Sequence, residues 1–317
     1  MNNELYCAVD IGGTKILLLL IDGNGQIVFR ERTGTPEPAR PENVVATVSG
    51  LLDKAMRKAG LSAKENLLSV GICIAAFVDY HNGIVHQSPN LHWTTPISLK
   101  KLMEEALYCP VLIENDANAA VLGEVYYGAA RGHQDVIYIT LSTGIGGGLF
   151  LNGRLYRGST GFAGEIGHIK PYGKGRSCKC GGYDCLETWA SGSAITYNAS
   201  ILWGEQEADS ETITTSWVFE QAKAGNSLAL KIIDQATENI GRGLANLVTL
   251  LNPSCIVIGG GVAANQADFL KRVARQIKID AIKPAVDITP LKIVAAQLEP
   301  EAGIWGMYRL MTGRLVE

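Results

Sequence analysis

The chain has 317 residues, of which 47% are hydrophobic, with 7 cysteines and a net charge of −3. That length accommodates two domains with substantial cores, and the lack of a basic block argues against a nucleic-acid surface. The N-terminus MNNELYC has no basic region followed by an apolar one, and the longest apolar runs (16–21 and 72–78) are too short to span a bilayer, so no membrane partner is expected.

Taken in chain order, CAVDIGGTK (7–15) and the apolar run after it read as strand, tight glycine turn and strand, with residues 26–30 as a third strand. The turn is not a Walker A sequence, because GK[ST] is missing and no helix directly follows. Such a hairpin offers backbone N–H groups and the Thr14 hydroxyl to phosphate oxygens, and Asp10 at the strand end is placed to hold a water of a Mg2+ shell. An ordinary hairpin is the competing reading. In VLIENDANAA (111–120) a strand ends in a polar turn and opens a helix over 118–127. Asp116 stands at the strand's carboxyl end, where ligands of α/β proteins bind. It is suited to accept a proton from a hydroxyl attacking phosphorus, or equally to cap the helix. Residues 136–153 repeat the first hairpin, with Thr143 and Gly144 in its turn. GIGGG contains GxGxG, but no helix follows, so a dinucleotide fold fails its context test.

Residues 161–187, GFAGEIGHIKPYGKGRSCKCGGYDCLE, bring His168, Cys178, Cys180 and Cys185 close in sequence. Three thiolates and one imidazole complete a tetrahedral Zn2+ shell with no open position, the mark of a structural metal. Glu165 and Glu187 bracket the cluster without being needed as ligands, which suggests a polar small-molecule pocket. Cys7, Cys73, Cys109 and Cys255 sit singly in apolar runs and read as core thiols. The odd count without paired spacing argues for a reducing cytoplasm. Residues 210–249 read as helices, with Leu228, Ile232, Ile233, Ala236, Ile240 and Leu244 at helical spacing, as core or dimer surface. Finally IVIGGGV (256–262) is a strand leading toward a helix at 266–277. Gly259, Gly260 and Gly261 at such a helix start suit a nucleotide, or form a plain tight turn.

Together these segments resemble the ROK family of sugar kinases and repressors. DIGGTK is similar to its first phosphate loop, LSTGIGGG to its second and IVIGGGV to its adenosine motif. ENDANAA carries its Asn–Asp pair. GEIGH with CKCGGYDCLE matches its zinc signature at all but one position. The resemblance implies an α/β, actin-like ATPase (ribonuclease H-like) fold of two lobes, with a duplicated βββαβα core and a structural zinc knot. It implies lobes of residues 1–117 with 301–317 and of residues 118–300. It further implies that the γ-phosphate of ATP, with Mg2+, passes to a hydroxyl, O6 by expectation, of a hexose or N-acetylhexosamine. Asp116 would be the general base, and Asn90, Asn115, Glu165, His168 and Glu187 would contact the sugar. Asp10, Gly12, Gly13, Thr14, Lys15, Thr143 and Gly144 would serve the phosphates, and Gly259, Gly260 and Gly261 the nucleoside. A homodimer is implied as well.

Family repressors carry a helix-turn-helix ahead of the first phosphate loop. Only nine residues precede Asp10, so a kinase is expected, or a catalytically silent sugar-binding regulator. Three positions depart from the family pattern. Ala75 and Ala76, followed by Phe77, stand where a Pro–Gly pair is usual, which would reshape the sugar pocket. Asp184 stands for a Gly before the last cysteine, and Glu299 for a Gly in the C-terminal tail, where a small local effect is expected.

Overall fold

The computed structural model describes residues 4–60, 66–173, 175–203, 213–288 and 290–313. The chain divides into two compact units. One holds the residues up to Arg131, Leu155–Ala163 and the segment from Pro300; the other holds Gly132–Arg154 and Gly164–Glu299. Residues 1–3, 61–65 and 314–317 of the expected first lobe lie outside the described residues, as do 174, 204–212 and 289 of the expected second, including 210–212 of the expected helical stretch.

The first unit contains β1 (Leu5–Ile11), β2 (Lys15–Asp22), β3 (Ile27–Gly34), α1 (Pro41–Ala59) and β4 (Leu67–Ile74). The short hairpin β5 (Phe77–Asp79) and β6 (Ile84–Gln87) follows, then α2 (Leu99–Leu107), β7 (Val111–Asn115) and α3 (Asp116–Tyr126). Its sheet has the order β3-β2-β1-β4-β7; β1–β2 and β2–β3 are antiparallel, β1–β4 and β4–β7 parallel. α1 begins on Pro41, whose missing N–H falls where a helix has no internal partner to lose, and stops at Gly60 with φ +69°.

The second unit repeats this plan with β8 (Val136–Leu141), β9 (Ile145–Leu151), β10 (Arg154–Leu155), α4 (Glu187–Ala190), α5 (Gly192–Trp203), α6 (Thr215–Lys223) and α7 (Ser227–Leu251). β11 (Cys255–Gly259), α8 (Ala267–Asp280), α9 (Lys283–Asp287) and β12 (Lys292–Ala295) complete it. The sheet order is β10-β9-β8-β11-β12, again with an antiparallel hairpin joined to parallel strands. The duplication seen in the two glycine hairpins is therefore a duplication of whole sheets. α7 buries Ile232, Ile233, Ala236, Ile240 and Leu244 in the second unit's core, while Leu228 is exposed.

The last helix, α10 (Ala302–Thr312), belongs to the first unit. This explains why residues 16–21 are apolar throughout: Ile16, Leu18 and Leu20 pack with Val44, Val48 and Leu52 of α1, and Leu17, Leu19 and Ile21 pack with Ile304, Met307 and Tyr308 of α10. A strand covered on both faces has no polar face to show. α3 and α10 meet backbone to backbone, since a Cβ on Gly123 would overlap the Ala302 carbonyl and one on Gly306 the Ala119 carbonyl. That contact keeps α3 in the first unit, although the chain alone suggested a boundary at residue 117.

Candidate functional site

The β1–β2 turn is closed by the Gly12 N–H, which donates to the Lys15 carbonyl at 3.0 Å. Thr35 ties it from the neighbouring strand end: its hydroxyl donates to the Gly12 carbonyl at 2.7 Å and its N–H to the Thr14 carbonyl at 3.1 Å. A Cβ on Gly13 would lie 2.9 Å from the backbone oxygen of Asn90, so the turn rests directly on the 3₁₀ turn Pro89–Leu91. The expected phosphate hairpin and Asn90 are thus neighbours. Thr35 carries no motif and was not legible in the sequence.

Because β1, β4 and β7 run parallel, their carboxyl ends gather at one sheet edge. Asp10 pairs with Cys73, and Cys73 with Glu114. The Cys73 Sγ lies 3.5 Å from the Val9 carbonyl and 3.8 Å from Asp10 Oδ1. Burial, with the Asp10 and Asp116 carboxylates nearby, pushes this thiol well above the usual range and keeps it protonated. Cys73 is buried, as read from the sequence, but it also underlies both candidate carboxylates.

At the end of β7, Asn115 caps α3. Its Oδ1 accepts from the N–H groups of Ala117 at 2.9 Å and Asn118 at 3.0 Å. Asp116 is the first helical residue, with Oδ1 accepting from the Ala117 N–H at 2.9 Å, so the cap role belongs to Asn115. The Asn115 amide also donates to the Ala76 carbonyl at 3.1 Å, and the Ser88 hydroxyl to the Ala75 carbonyl at 3.0 Å. The departing Ala75–Ala76 pair is therefore pinned through its backbone, while the Ala76 methyl is buried in the first unit's core. Phe77 stands edge-on to Phe162, ring centroids 6.0 Å apart.

In the second unit the β8–β9 turn is closed by the Ser142 N–H donating to the Gly144 carbonyl at 2.9 Å. Glu187, opening α4, accepts from the Ile145 N–H at 2.8 Å, and a Cβ on Gly144 would overlap its carboxylate. Beside this turn the Gly192 N–H donates to the Ser142 carbonyl at 2.8 Å and the Ser193 N–H to the Thr143 carbonyl at 3.2 Å. An open cleft of about 630 Å³ lies here, lined by Thr143, Ser193, Thr196, Tyr197, Thr215, Gly261, Val262 and Gln266 among others. Its lining is uncharged and rich in hydroxyls. Of the expected nucleotide residues, Thr143 and Gly261 line it; Gly144, Gly259 and Gly260 do not. α5 carried no expectation, and α6 lies in the 210–249 stretch expected to be core or dimer surface and not a site, whereas Thr215, Ser216 and Phe219 line this cleft.

α8 starts at Ala267, so Gly259–Gly261 form a turn ahead of the helix rather than its first residues. Gly260 has φ +89°, which no helix accommodates. Its N–H donates to Glu299 Oε1 at 3.1 Å, and the Tyr138 hydroxyl donates to the same oxygen at 2.7 Å. Glu299, where a small local effect was expected, lies in the second unit, as the expected lobe of 118–300 has it, and braces this turn.

His168, Cys178, Cys180 and Cys185 come together, with their ligand atoms all within 4.8 Å of one another. His168 Nδ1 is 3.7 Å from Cys178 Sγ, and the Sγ atoms of Cys180 and Cys185 are 3.6 Å apart. A tetrahedron with Zn–S of about 2.3 Å and Zn–N of about 2.0 Å has edges of roughly 3.5–3.8 Å, so the set fits zinc with all four positions filled by protein. His168 Nε2 then faces Glu165, 3.8 Å from its Oε2. Asp184 takes the φ +58° that its place in the loop requires, which Asp tolerates better than most residues. Its carboxylate accepts from the Trp189 indole at 2.8 Å and the Tyr172 N–H at 3.1 Å. Lys170 Nζ lies 2.9 Å from Cys185 Sγ, and this hydrogen bond holds its pKa above the usual lysine range. A cation there offsets the excess negative charge of three thiolates on a divalent ion.

A family model for the ROK family matches residues 6–314. The chain is 33% identical over 316 residues to a glucokinase of Halalkalibacterium halodurans, covering 96% of this chain and 94% of that protein. It is 34% identical to the crystal structure of a ROK family glucokinase from Streptomyces griseus in complex with glucose and AMPPNP, with a TM-score of 0.80, covering 96% of this chain and 98% of that one. A ROK hexokinase from Thermus thermophilus matches at 32% identity and a TM-score of 0.80, covering 96% of each chain. With a two-sheet duplicated fold and a His–Cys₃ cluster that fits zinc, this chain belongs to the ROK family.

Proposed function

We propose that the protein is a sugar kinase that moves the γ-phosphate of ATP to a hydroxyl of a hexose, O6 by preference, with Asp116 as general base. Glucose is the first acceptor to consider, and N-acetylhexosamines come next. The observation that carries this reading is Asp116 at the carboxyl end of β7, opening α3, in a chain similar along its whole length to glucokinases. Asp116 opens α3, and the N-terminal end of a helix favours an anionic side chain. Phosphoryl transfer needs little covalent work from a protein beyond this, because positioning and charge stabilisation dominate.

In this reading Asn90, Asn115, Glu165, His168 and Glu187 hold the sugar hydroxyls, and Ala76 and Phe77 bear on which sugar fits. The hairpin turns at Gly12–Thr14 and Thr143–Gly144 hold phosphate oxygens, with Lys15 adding positive charge. The hydroxyl-lined cleft beside Gly261 takes the nucleoside. Asp10 would hold a water of the Mg2+ that accompanies ATP, a cation whose contribution is to neutralise phosphate charge. Zinc would act indirectly, by fixing the His168 ring and the loop that leads to Glu187.

A coupled ADP-release assay with ATP and Mg2+, run over a panel of hexoses and N-acetylhexosamines beginning with D-glucose, tests the proposal. One strongly preferred sugar is the expected result. No turnover on any member by folded, zinc-loaded protein would overturn it in favour of a sugar-binding regulator.

A further inference from the structure

Glu114 precedes the Asn115–Asp116 junction and is buried, its side chain 3% exposed. Each of its oxygens is committed. Oε2 accepts from Arg157 Nε at 2.7 Å, while Oε1 accepts from the Asn115 N–H at 3.0 Å and the Asn118 amide at 3.1 Å. Asn118 holds this bond although its own Oδ1, also buried, has no hydrogen-bond partner among the described residues. Arg157, 13% exposed, comes from Leu155–Ala163, the stretch that packs with the first unit. Its guanidinium lies over the Tyr80 ring, 4.1 Å from the centroid.

A buried ion pair is a weak way to gain stability, since well-packed apolar residues do as well or better. What it adds is direction. An apolar pair would leave the Asn115 N–H without an acceptor and let the strand–helix junction choose its own angle. We propose that the Glu114–Arg157 pair is a positioning device for the site. Arg157 fixes the carboxylate of Glu114, Glu114 fixes the backbone of Asn115 and the first turn of α3, and Asp116 is thereby aimed. This inference rests on the reading of Asp116 as the base. Neither residue touches the reacting atoms, so both act through Asn115 and Asp116.

The test uses full-length protein with the preferred sugar of the panel above and ATP. The variants are the double substitution Glu114→Gln/Arg157→Met, the single Arg157→Lys, and Asp116→Asn as reference. The double variant leaves no buried charge unpaired, so its melting temperature should stay close to wild type. Its kcat should fall about 10–100-fold, the scale set by misplacing a reacting group by about 1 Å. Its sugar affinity, measured by calorimetry without nucleotide, should change less than about 3-fold, a split that a purely structural role would not produce. If the double variant does not fold, Arg157→Lys keeps the charge and should lose about 10-fold in kcat at unchanged sugar affinity. Wild-type kcat in either folded variant, with Asp116→Asn inactive, would overturn the positioning role alone. Wild-type turnover in Asp116→Asn would overturn the base assignment and this inference with it.

Discussion

At the scale of single residues, the site depends on where two carboxylates stand relative to backbone N–H groups. Asn115 takes the capping bonds of α3, which leaves Asp116 at the first helical position instead of locked as the cap. Asp116→Asn should therefore leave α3 and sugar binding nearly intact while lowering kcat by about 10²–10⁴-fold, the usual contribution of a general base. Steady-state kinetics beside calorimetric sugar binding reads both numbers, and near-normal turnover would remove Asp116 from the mechanism. The division of labour between Asn115 and Asp116 was not legible in the chain, because Asn and Asp are equally good caps and differ here only in register. Glu299 teaches the same lesson. Its residue type was visible, but its bond to Gly260 spans 39 residues.

At the scale of elements, α3 is held by its closest neighbour, α10. Their contact leaves no room for a Cβ at Gly123 or Gly306, and at Gly303 a Cβ would lie 2.8 Å from Cys73 Sγ. These three glycines let the helix that carries Asp116 approach α10 at backbone distance, with Cys73 beneath. Gly306→Ala should destabilise the protein by about 1–3 kcal/mol, the overpacking cost. Improved helix propensity returns up to about 1 kcal/mol of that. Urea denaturation of the variant measures the net effect; an unchanged or raised midpoint would mean that the helices separate without penalty. The hairpins and α7 were legible as elements because their periodicity and glycine turns are local signals. The hydroxyl-lined cleft was not, because α5, α6, the β8–β9 turn and Gly261 meet there from distant parts of the chain.

At the scale of the molecule, each unit has its own sheet and core, and the zinc cluster belongs wholly to the second. His168 and Cys185 join two stretches of a loop with little regular structure, and the loop leads directly into α4 and Glu187. Cys180→Ser should lose zinc and weaken sugar affinity through His168 and Glu187, with ATP binding largely spared. Metal content by elemental analysis and separate calorimetric titrations with sugar and ATP check this. Equal loss of both affinities would show that the knot supports the second unit as a whole rather than the sugar-facing loop. Zinc-free wild-type protein would remove the metal from the account.

What the sequence determined by itself is what local chemistry encodes. The two glycine hairpins, the His–Cys₃ ligand set, the strand–helix junction at Asp116 and the ROK membership are all written in short contiguous patterns, because turn conformation, metal-ligand type and helix capping depend on neighbours in the chain. Only the tertiary structure decided which distant groups meet. Thr35 on the first hairpin, Cys73 under Asp10 and Asp116, Glu187 against Gly144, Glu299 on Gly260 and Arg157 on Glu114 are products of strand order and helix approach. Side-chain pairs separated by tens of residues leave no periodic trace in one sequence; the parallel register of β1, β4 and β7 sets Cys73 beside Asp10 and Glu114, and the packing of α10 on α3 sets Gly303 against Cys73.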